Sequence, residues 1–368
     1  MTSVALHADQ LFYRVPGGIG TYVRELVPAL RSADPALELT AFHAAFGQPA
    51  PDVLREVPTV ELGAGIRRLY PSWNLLGRPP LPPELSSLDV LHATSPVAVP
   101  PPGPDQRLVV SVHDLAFRLF PSLYPRAWRT LFRLGLRRLA SADAVIAVSR
   151  HTALDVVRLV GVEPARIHVV PLAASLPPGD LDPGPVLDRL RIPRPYVLFV
   201  GTLEPRKNLV RLVRAYRRVA QRRPHALVLV GPLGWRSERL HRELAEPGPG
   251  HVMITGHVAE DELDALYRGA SAFVYPSLYE GFGLPVLEAM ARGVPTVTSS
   301  SSSLPEVAGD AALLVDPRSA RDLTSAMERV LDDADERARL SAAGRVRAAG
   351  FSWERTARMT LDVYRLVA

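Results

Sequence analysis

Residues 272–299 read "AFVYPSLYEGFGLPVLEAMARGVPTVTS". A short apolar run, "AFVYPS", leads into a loop holding Gly281 and Gly283. A helix-period segment, "VLEAMARG" (286–293), follows, and then a second apolar run, "VPTVTS". Apolar runs of this length around a glycine turn and a helix are the buried parallel strands of a βαβ unit. Pro285 suits the first helical position, where a missing N–H costs nothing. The free N–H groups of that helix then face the loop, and the two glycines let backbone approach a ligand closely. Glu280 and Glu288 flank the turn with seven residues between them, Glu288 being placed in the first helical turn and looking back at the loop. Carboxylates accept from sugar hydroxyls, and N–H groups donate to sugar or phosphate oxygens, so the pair suits a polyhydroxyl ligand. Taken alone, the pattern is explained equally well by a glutamate that complements a helix dipole beside an ordinary turn.

The same alternation extends along the chain. Segments 3–9, 89–94, 107–114, 143–149 and 166–172 read as strands, with helices over 18–32 and 149–161. After a proline-rich stretch at 176–195 the pattern restarts, with strands over 196–201, 226–231, 251–256, 272–277, 294–299 and 312–317. The expectation is an α/β chain of two Rossmann-like doubly wound domains, 1–175 and 176–350, ending in a helix at 351–368. Open parallel sheets take ligands at the carboxyl ends of their strands, so the expected site is the cleft between the two domains. Bulk properties fit. The 368 residues include 47% hydrophobic ones, enough for real cores. The absence of cysteine excludes disulfides and thiolate catalysis. A net charge of +5 favours anionic partners, such as nucleotides, acidic lipid or nucleic acid, with nucleic acid ranked last. No secretory leader and no apolar run of about 18 residues is legible, so the expected location is cytoplasmic.

Four further motifs carry chemistry. In "GTLEPRKNL" (201–209) a strand ends at Gly201, and Arg206 and Lys207 stand just before a helix N-terminus. The macrodipole disfavours cations there, and a bound diphosphate would reverse that penalty. The bland alternative is two solvated surface cations. In "PGGIGTYVREL" (16–26) Gly17 and Gly18 open an amphipathic helix, a phosphate-cradle layout without dinucleotide-enzyme spacing. In "SVHDL" (111–115) His113 ends a buried strand, where a neutral imidazole can donate to a sugar hydroxyl or serve packing alone; His92, one strand earlier, reads as structural. In "YPRAWRTLFRLGLRRLASA" (124–142) Arg129, Arg133 and Arg137 share one helical face, Trp128, Leu131, Phe132 and Leu139 lie on another, and no carboxylate occurs from 115 to 142. That helix is a candidate for peripheral contact with anionic membrane, against the plainer reading of a solvated face over a core stripe. No metal-ligand spacing, P-loop or nucleophile elbow is present.

Together "GGIGTYVREL", "SVHDL", "GTLEPRKNL", "TGHV" (255–258), "YPSLYEGFGLPVLEAMARGVPTVTS" and "SLPEVAGDAALLVDP" resemble the retaining glycosyltransferases of family 4, with the GT-B fold. The resemblance spans nearly the whole chain and is densest over 196–317. It implies two Rossmann-like domains facing across a cleft, with 351–368 crossing back onto the N-terminal domain. It implies that Glu288 binds the ribose of a nucleotide. Glu280, with the backbone of Gly281, Phe282 and Gly283, would hold the donor sugar. Leu284 and Pro285 would help place the phosphates, and Arg206 and Lys207 would neutralise the leaving diphosphate. Gly17 and Gly18 would approach the diphosphate or the acceptor, His113 would sit by the donor sugar, Gly201 would join the substrate-binding residues, and His257 and Val258 would flank the base. No metal or other cofactor is implied. The first-choice donor is GDP-mannose and the acceptor a glycan or lipid-linked glycan met by 63–84, with Tyr70 and Trp73. A UDP- or dTDP-sugar with a secondary-metabolite acceptor is the next choice. A phosphorylase, an epimerase or a non-catalytic nucleotide-sugar-binding partner are the readings from other classes.

Overall fold

The computed structural model describes residues 2–175 and 182–368, with the side chains of residues 127 and 128 also outside the description. Residues 176–181 of the proline-rich stretch at 176–195, and the apolar contact expected of Trp128, therefore lie outside the described residues. The chain divides into two compact units, 1–172 with 352–368, and 173–351.

The first unit holds a seven-stranded parallel sheet: β1 Ser3–His7, β2 Glu38–His43, β3 Thr59–Glu61, β4 Val90–Ala93, β5 Arg107–Val112, β6 Ala144–Ala147 and β7 Ile167–Val169. Their order across the sheet is β3-β2-β1-β4-β5-β6-β7. The second unit holds a six-stranded parallel sheet: β8 Tyr196–Val200, β9 Ala226–Val230, β10 Val252–Gly256, β11 Ala272–Tyr275, β12 Thr296–Ser299 and β13 Leu313–Val315, in the order β10-β9-β8-β11-β12-β13. Each sheet reverses its winding once, between β1 and β4 and between β8 and β11. Such switch points open crevices at the carboxyl ends of the strands. Most central strands are fully buried, as continuous Val/Ile/Leu runs require.

β2 and β3 were not expected from sequence. β2 interleaves Glu38 and Thr40 with its apolar residues, and β3 is a three-residue edge strand, too short to show a period. The helix Arg150–Val160 starts and stops as read: Ser149 Oγ accepts from the Thr152 amide, and Gly161 takes the left-handed conformation that ends a helix without a Cβ penalty.

The C-terminal helix, Trp353–Val367, packs on the helix Gly17–Ala33 in the first unit. Its Tyr364 hydroxyl lies 2.6 Å from His92 Nδ1, and His92 Nε2 lies 2.8 Å from Ser111 Oγ, which in turn meets the Tyr22 hydroxyl. All four groups are buried. Burial lowers the His92 pKa to about 3, so the imidazole is neutral and relays hydrogen bonds between strand and helix. Tyr364→Phe would leave His92 Nδ1 without its partner. The expected cost is about 1–3 kcal/mol, read as a lower urea midpoint of the first unit with the slope unchanged.

Candidate active site

At the β8/β11 switch point two loops are fastened together. After β8 the chain makes a short 3₁₀ turn, Pro205–Lys207, and Asn208 then takes a left-handed conformation, φ +62°, before the helix Leu209–Val219 begins. Asparagine tolerates this conformation better than most residues. Its side-chain amide donates to Pro276 O at 3.0 Å and Pro317 O at 2.7 Å. The Leu278 amide donates to Arg206 O at 2.9 Å, so the post-β11 loop is held against the post-β8 turn.

Glu280 lies where the loops meet. Its Oε1 accepts from Lys207 Nζ at 2.7 Å, from the Tyr275 hydroxyl at 3.1 Å and from Ser277 Oγ. Its Oε2 accepts from an Arg206 guanidinium nitrogen at 2.8 Å. Arg206 also donates to Tyr279 O and to Glu204, and Lys207 Nζ donates to the Tyr275 hydroxyl. Burial pushes the Glu280 carboxyl up, but Arg206 and Lys207 outweigh it and hold the pKa at about 2. Burial lowers the Lys207 ammonium and raises Glu204, each opposed by its ion-pair partners. The two cations are therefore not solvated surface charges: their side chains are 12% and 9% exposed. Their unfavourable position near a helix N-terminus is offset by two glutamates of the protein itself, in a four-charge cluster with no net charge.

The loop from Ser277 to Gly283 is clamped from the far side by "SSSSS" (299–303). Ser299 Oγ donates to Ser277 O, Ser301 Oγ to Leu278 O, and Ser303 Oγ to both Glu280 O and Phe282 O; Ser302 Oγ accepts from the Glu280 amide. Gly283 has φ +110°, and a Cβ there would stand 2.7 Å from Leu304, so this turn needs glycine. The helix runs Leu284–Ala291, with Leu284 first and Pro285 second, one residue earlier than read. Among the described residues, the amides of Phe282, Gly283 and Leu284 meet no protein acceptor. They form a donor patch beside Glu280.

Glu288 consequently falls in the second helical turn, not the first. Its Oε2 accepts from Tyr267 at 2.9 Å. Tyr267 lies under Arg292, whose Nε bonds the fully buried Asp264, which also takes Arg268. His257 and Val258 follow β10, which is separated from β8 by β9; His257 is exposed. Gly201 ends β8 at φ +145°, where its amide donates to Val230 O. Among the described residues no group of His, Asp and Glu is arranged to hold a metal.

The remaining predicted residues belong to the first unit. Gly17 and Gly18 open the helix Gly17–Ala33, exposed, with Gly17 at φ +62° and open space where a Cβ would stand. His113 follows β5, and its Nε2 lies 3.0 Å from Thr94 O. A carbonyl only accepts, so Nε2 carries the proton. Burial lowers the His113 pKa to about 4, leaving the ring neutral with Nδ1 as a bare acceptor. The Nε2 proton is thus committed to Thr94 O, and the ring's remaining hydrogen-bonding capacity is the acceptor Nδ1. Tyr70 and Trp73 are buried: Tyr70 donates to Asp9 and Trp73 Nε1 to Pro79 O, so neither side chain offers the acceptor contact expected of it.

Sequence reading missed Glu204, Tyr275, Ser277, the serine run and Tyr267. The serine run reads as low complexity, and its signal, hydroxyls opposite an irregular loop, appears only once β11 and β12 are seen to pair.

Two family profiles match the chain. One, described as "Glycosyl transferases group 1", covers residues 189–347; the other, "Glycosyltransferase Family 4", covers residues 16–176. The O-antigen chain mannosyltransferase B of Escherichia coli is 36% identical over 271 residues, 71% of each chain. The serotype-specific mannosyltransferase WbdA of the same organism is 32% identical over 281 residues, 72% of this chain but 34% of that longer protein. Among solved structures, sucrose-phosphate synthase from Thermosynechococcus elongatus superposes with a TM-score of 0.76 at 23% identity, covering 100% of this chain and 99% of that one.

Glu280→Gln would leave Arg206 and Lys207 buried beside a neutral amide. The expected loss is about 3–5 kcal/mol of second-unit stability at pH 7, measured by urea unfolding. Because the Glu280 pKa is depressed in the folded state, its stabilisation is full above the ordinary value of 4.5 and is lost as pH falls towards about 2. The gap between wild type and variant should therefore close over that window; a gap constant from pH 6 to pH 3 would contradict the ion-pair assignment.

Proposed function

The chain belongs to glycosyltransferase family 4, and from that footing we propose that it moves mannose from GDP-mannose to a hydroxyl of a glycan or lipid-linked glycan, with retention at the anomeric carbon. One observation carries the reading: a buried Glu280–Arg206–Lys207 cluster stands beside unpartnered helix amides at a sheet switch point. The named relatives at 36% and 32% identity, both mannosyltransferases, support mannose as the sugar.

The chemistry follows from charge. When the sugar C1–O bond breaks, its electron pair goes to the nucleoside diphosphate. Negative charge grows on oxygens that Lys207, Arg206 and the amides of 282–284 are placed to receive. The new bond forms from the acceptor hydroxyl oxygen to C1 on the face the diphosphate leaves. The hydroxyl proton passes to a leaving phosphate oxygen, so no protein base is required. Glu280 Oε1 is saturated by three donors, but Oε2 takes only Arg206 and keeps a lone pair for a sugar hydroxyl. Glu288, steadied by Tyr267, takes the ribose. Magnesium has no role in this scheme.

A thermal-shift screen against GDP, UDP, dTDP and their sugar conjugates, with and without magnesium, tests the donor. GDP-mannose should raise the transition temperature in both conditions, since a ligand that binds only the folded state stabilises it. Flat traces for every nucleotide would overturn the transferase reading, and turnover with inorganic phosphate alone would favour a phosphorylase. Lys207→Met should lose stability as well as rate. It should abolish the shift caused by GDP while sparing that caused by guanosine. Equal loss of both shifts would refute a diphosphate contact.

A further inference from the structure

The sequence motif at 124–142 acquires a neighbour in the fold. The helix Arg126–Ala140 packs against the helix Ile66–Leu76 within the first unit. Their C-terminal ends meet: Arg138 reaches Trp73 O at 3.4 Å, and a Cβ on Gly77 would strike its guanidinium. Phe132, Leu136 and Leu139 turn the first helix inward, with Phe132 edge-on to Phe117 and Leu139 fully buried. Gly135 lets it press onto Pro96 O, where a Cβ would stand at 1.9 Å.

The outward faces of the two helices carry arginines and an exposed leucine pair. Arg126, Arg133 and Arg137 are exposed along one stripe of the 126–140 helix, and Arg68, Leu75 and Leu76 along one stripe of the 66–76 helix. Leu75 is 60% and Leu76 73% exposed, next to the arginine-bearing end of the partner helix. Over residues 62–83 and 115–142 every charged side chain is an arginine. None of the exposed arginines named here has an ion-pair partner among the described residues. A merely solvated face would mix signs and would not add an exposed leucine pair; arginines around protruding aliphatic side chains match an interface of phosphate headgroups over acyl chains. No described helix is long and apolar enough to cross a membrane, so the attachment is peripheral.

We propose that this two-helix face docks the enzyme on an anionic bilayer, with Leu75 and Leu76 entering the headgroup boundary and the arginines meeting lipid phosphates. The inference is independent of the donor assignment, because docking needs no nucleotide sugar.

The test is co-sedimentation of the purified full chain with vesicles of phosphatidylcholine alone, or with about 30% phosphatidylglycerol. Partition should favour the anionic vesicles by roughly ten-fold at low salt and weaken as salt rises. Arg133→Glu with Arg137→Glu should remove at least that ten-fold preference, while Arg133→Lys with Arg137→Lys should keep it, since a bilayer reads charge rather than fork geometry. Leu75→Ser with Leu76→Ser should lower the binding that survives high salt. Thermal unfolding confirms that each variant is folded. Equal binding to both vesicles, or wild-type binding by the double glutamate variant, overturns the proposal. Loss of binding in the lysine variant would also overturn it, in favour of a discrete anion pocket.

Discussion

Everything at the second unit's switch point depends on one buried carboxylate held between two cations. Glu280, Arg206 and Lys207 are all nearly excluded from solvent, and none would be tolerable alone. The arrangement requires two loops from non-consecutive strands to meet at hydrogen-bond distance. That in turn requires the left-handed Asn208, the glycine at 283 and four serine hydroxyls opposite the loop. Because a half-satisfied polar cluster is worse than an apolar core, the cluster and its clamps form a single cooperative feature. Rigidity at the site and stability of the unit are thus the same physical property.

Much of this was legible in the sequence, for identifiable reasons. Buried parallel strands announce themselves as unbroken Val/Ile/Leu runs, so β8, β9 and β11 could be placed; β3, three residues at an edge, has no such signature. Glycines at 281 and 283 and the proline at 285 marked where the turn before the helix falls. What periodicity could not supply was pairing between distant residues. Arg206 and Lys207 read as cations waiting for an anion, because nothing in one dimension shows that Glu204 and Glu280 already face them. The one-residue error at the helix start moved Glu288 into the second turn, where it accepts from Tyr267. Tautomers were equally invisible: the acceptor character of His113 follows from a carbonyl on the adjacent strand connection.

The first unit shows the same economy with histidines. His92 and His113 both end up neutral through burial, yet they differ in use. His92 has hydroxyl partners at both nitrogens and is spent on packing the C-terminal helix against β4 and β5. His113 has one nitrogen committed and one open. A neighbouring pair of identical side chains on adjacent strands is thereby divided, by hydrogen-bond inventory alone, into one with both nitrogens engaged and one with an open acceptor.

Under the proposed sugar transfer, the neutral charge of the Glu204–Arg206–Lys207–Glu280 cluster bears on turnover. Two unpaired buried cations would bind a nucleoside diphosphate tightly both before and after the reaction, and tight binding of product does not accelerate the chemical step. With Glu280 ionised at neutral pH, the cations are already satisfied in the resting site, so a ground-state diphosphate, its charge shared with the sugar ester, gains little from them. As the glycosidic bond breaks and the leaving oxygen acquires a full charge, it becomes a stronger acceptor, and donors that need not move far strengthen towards it. In that scheme Glu280, already paired with both cations, acts as a counterweight. It tempers their attraction for the ground-state sugar ester, so that more of it is realised as charge develops on the leaving oxygen.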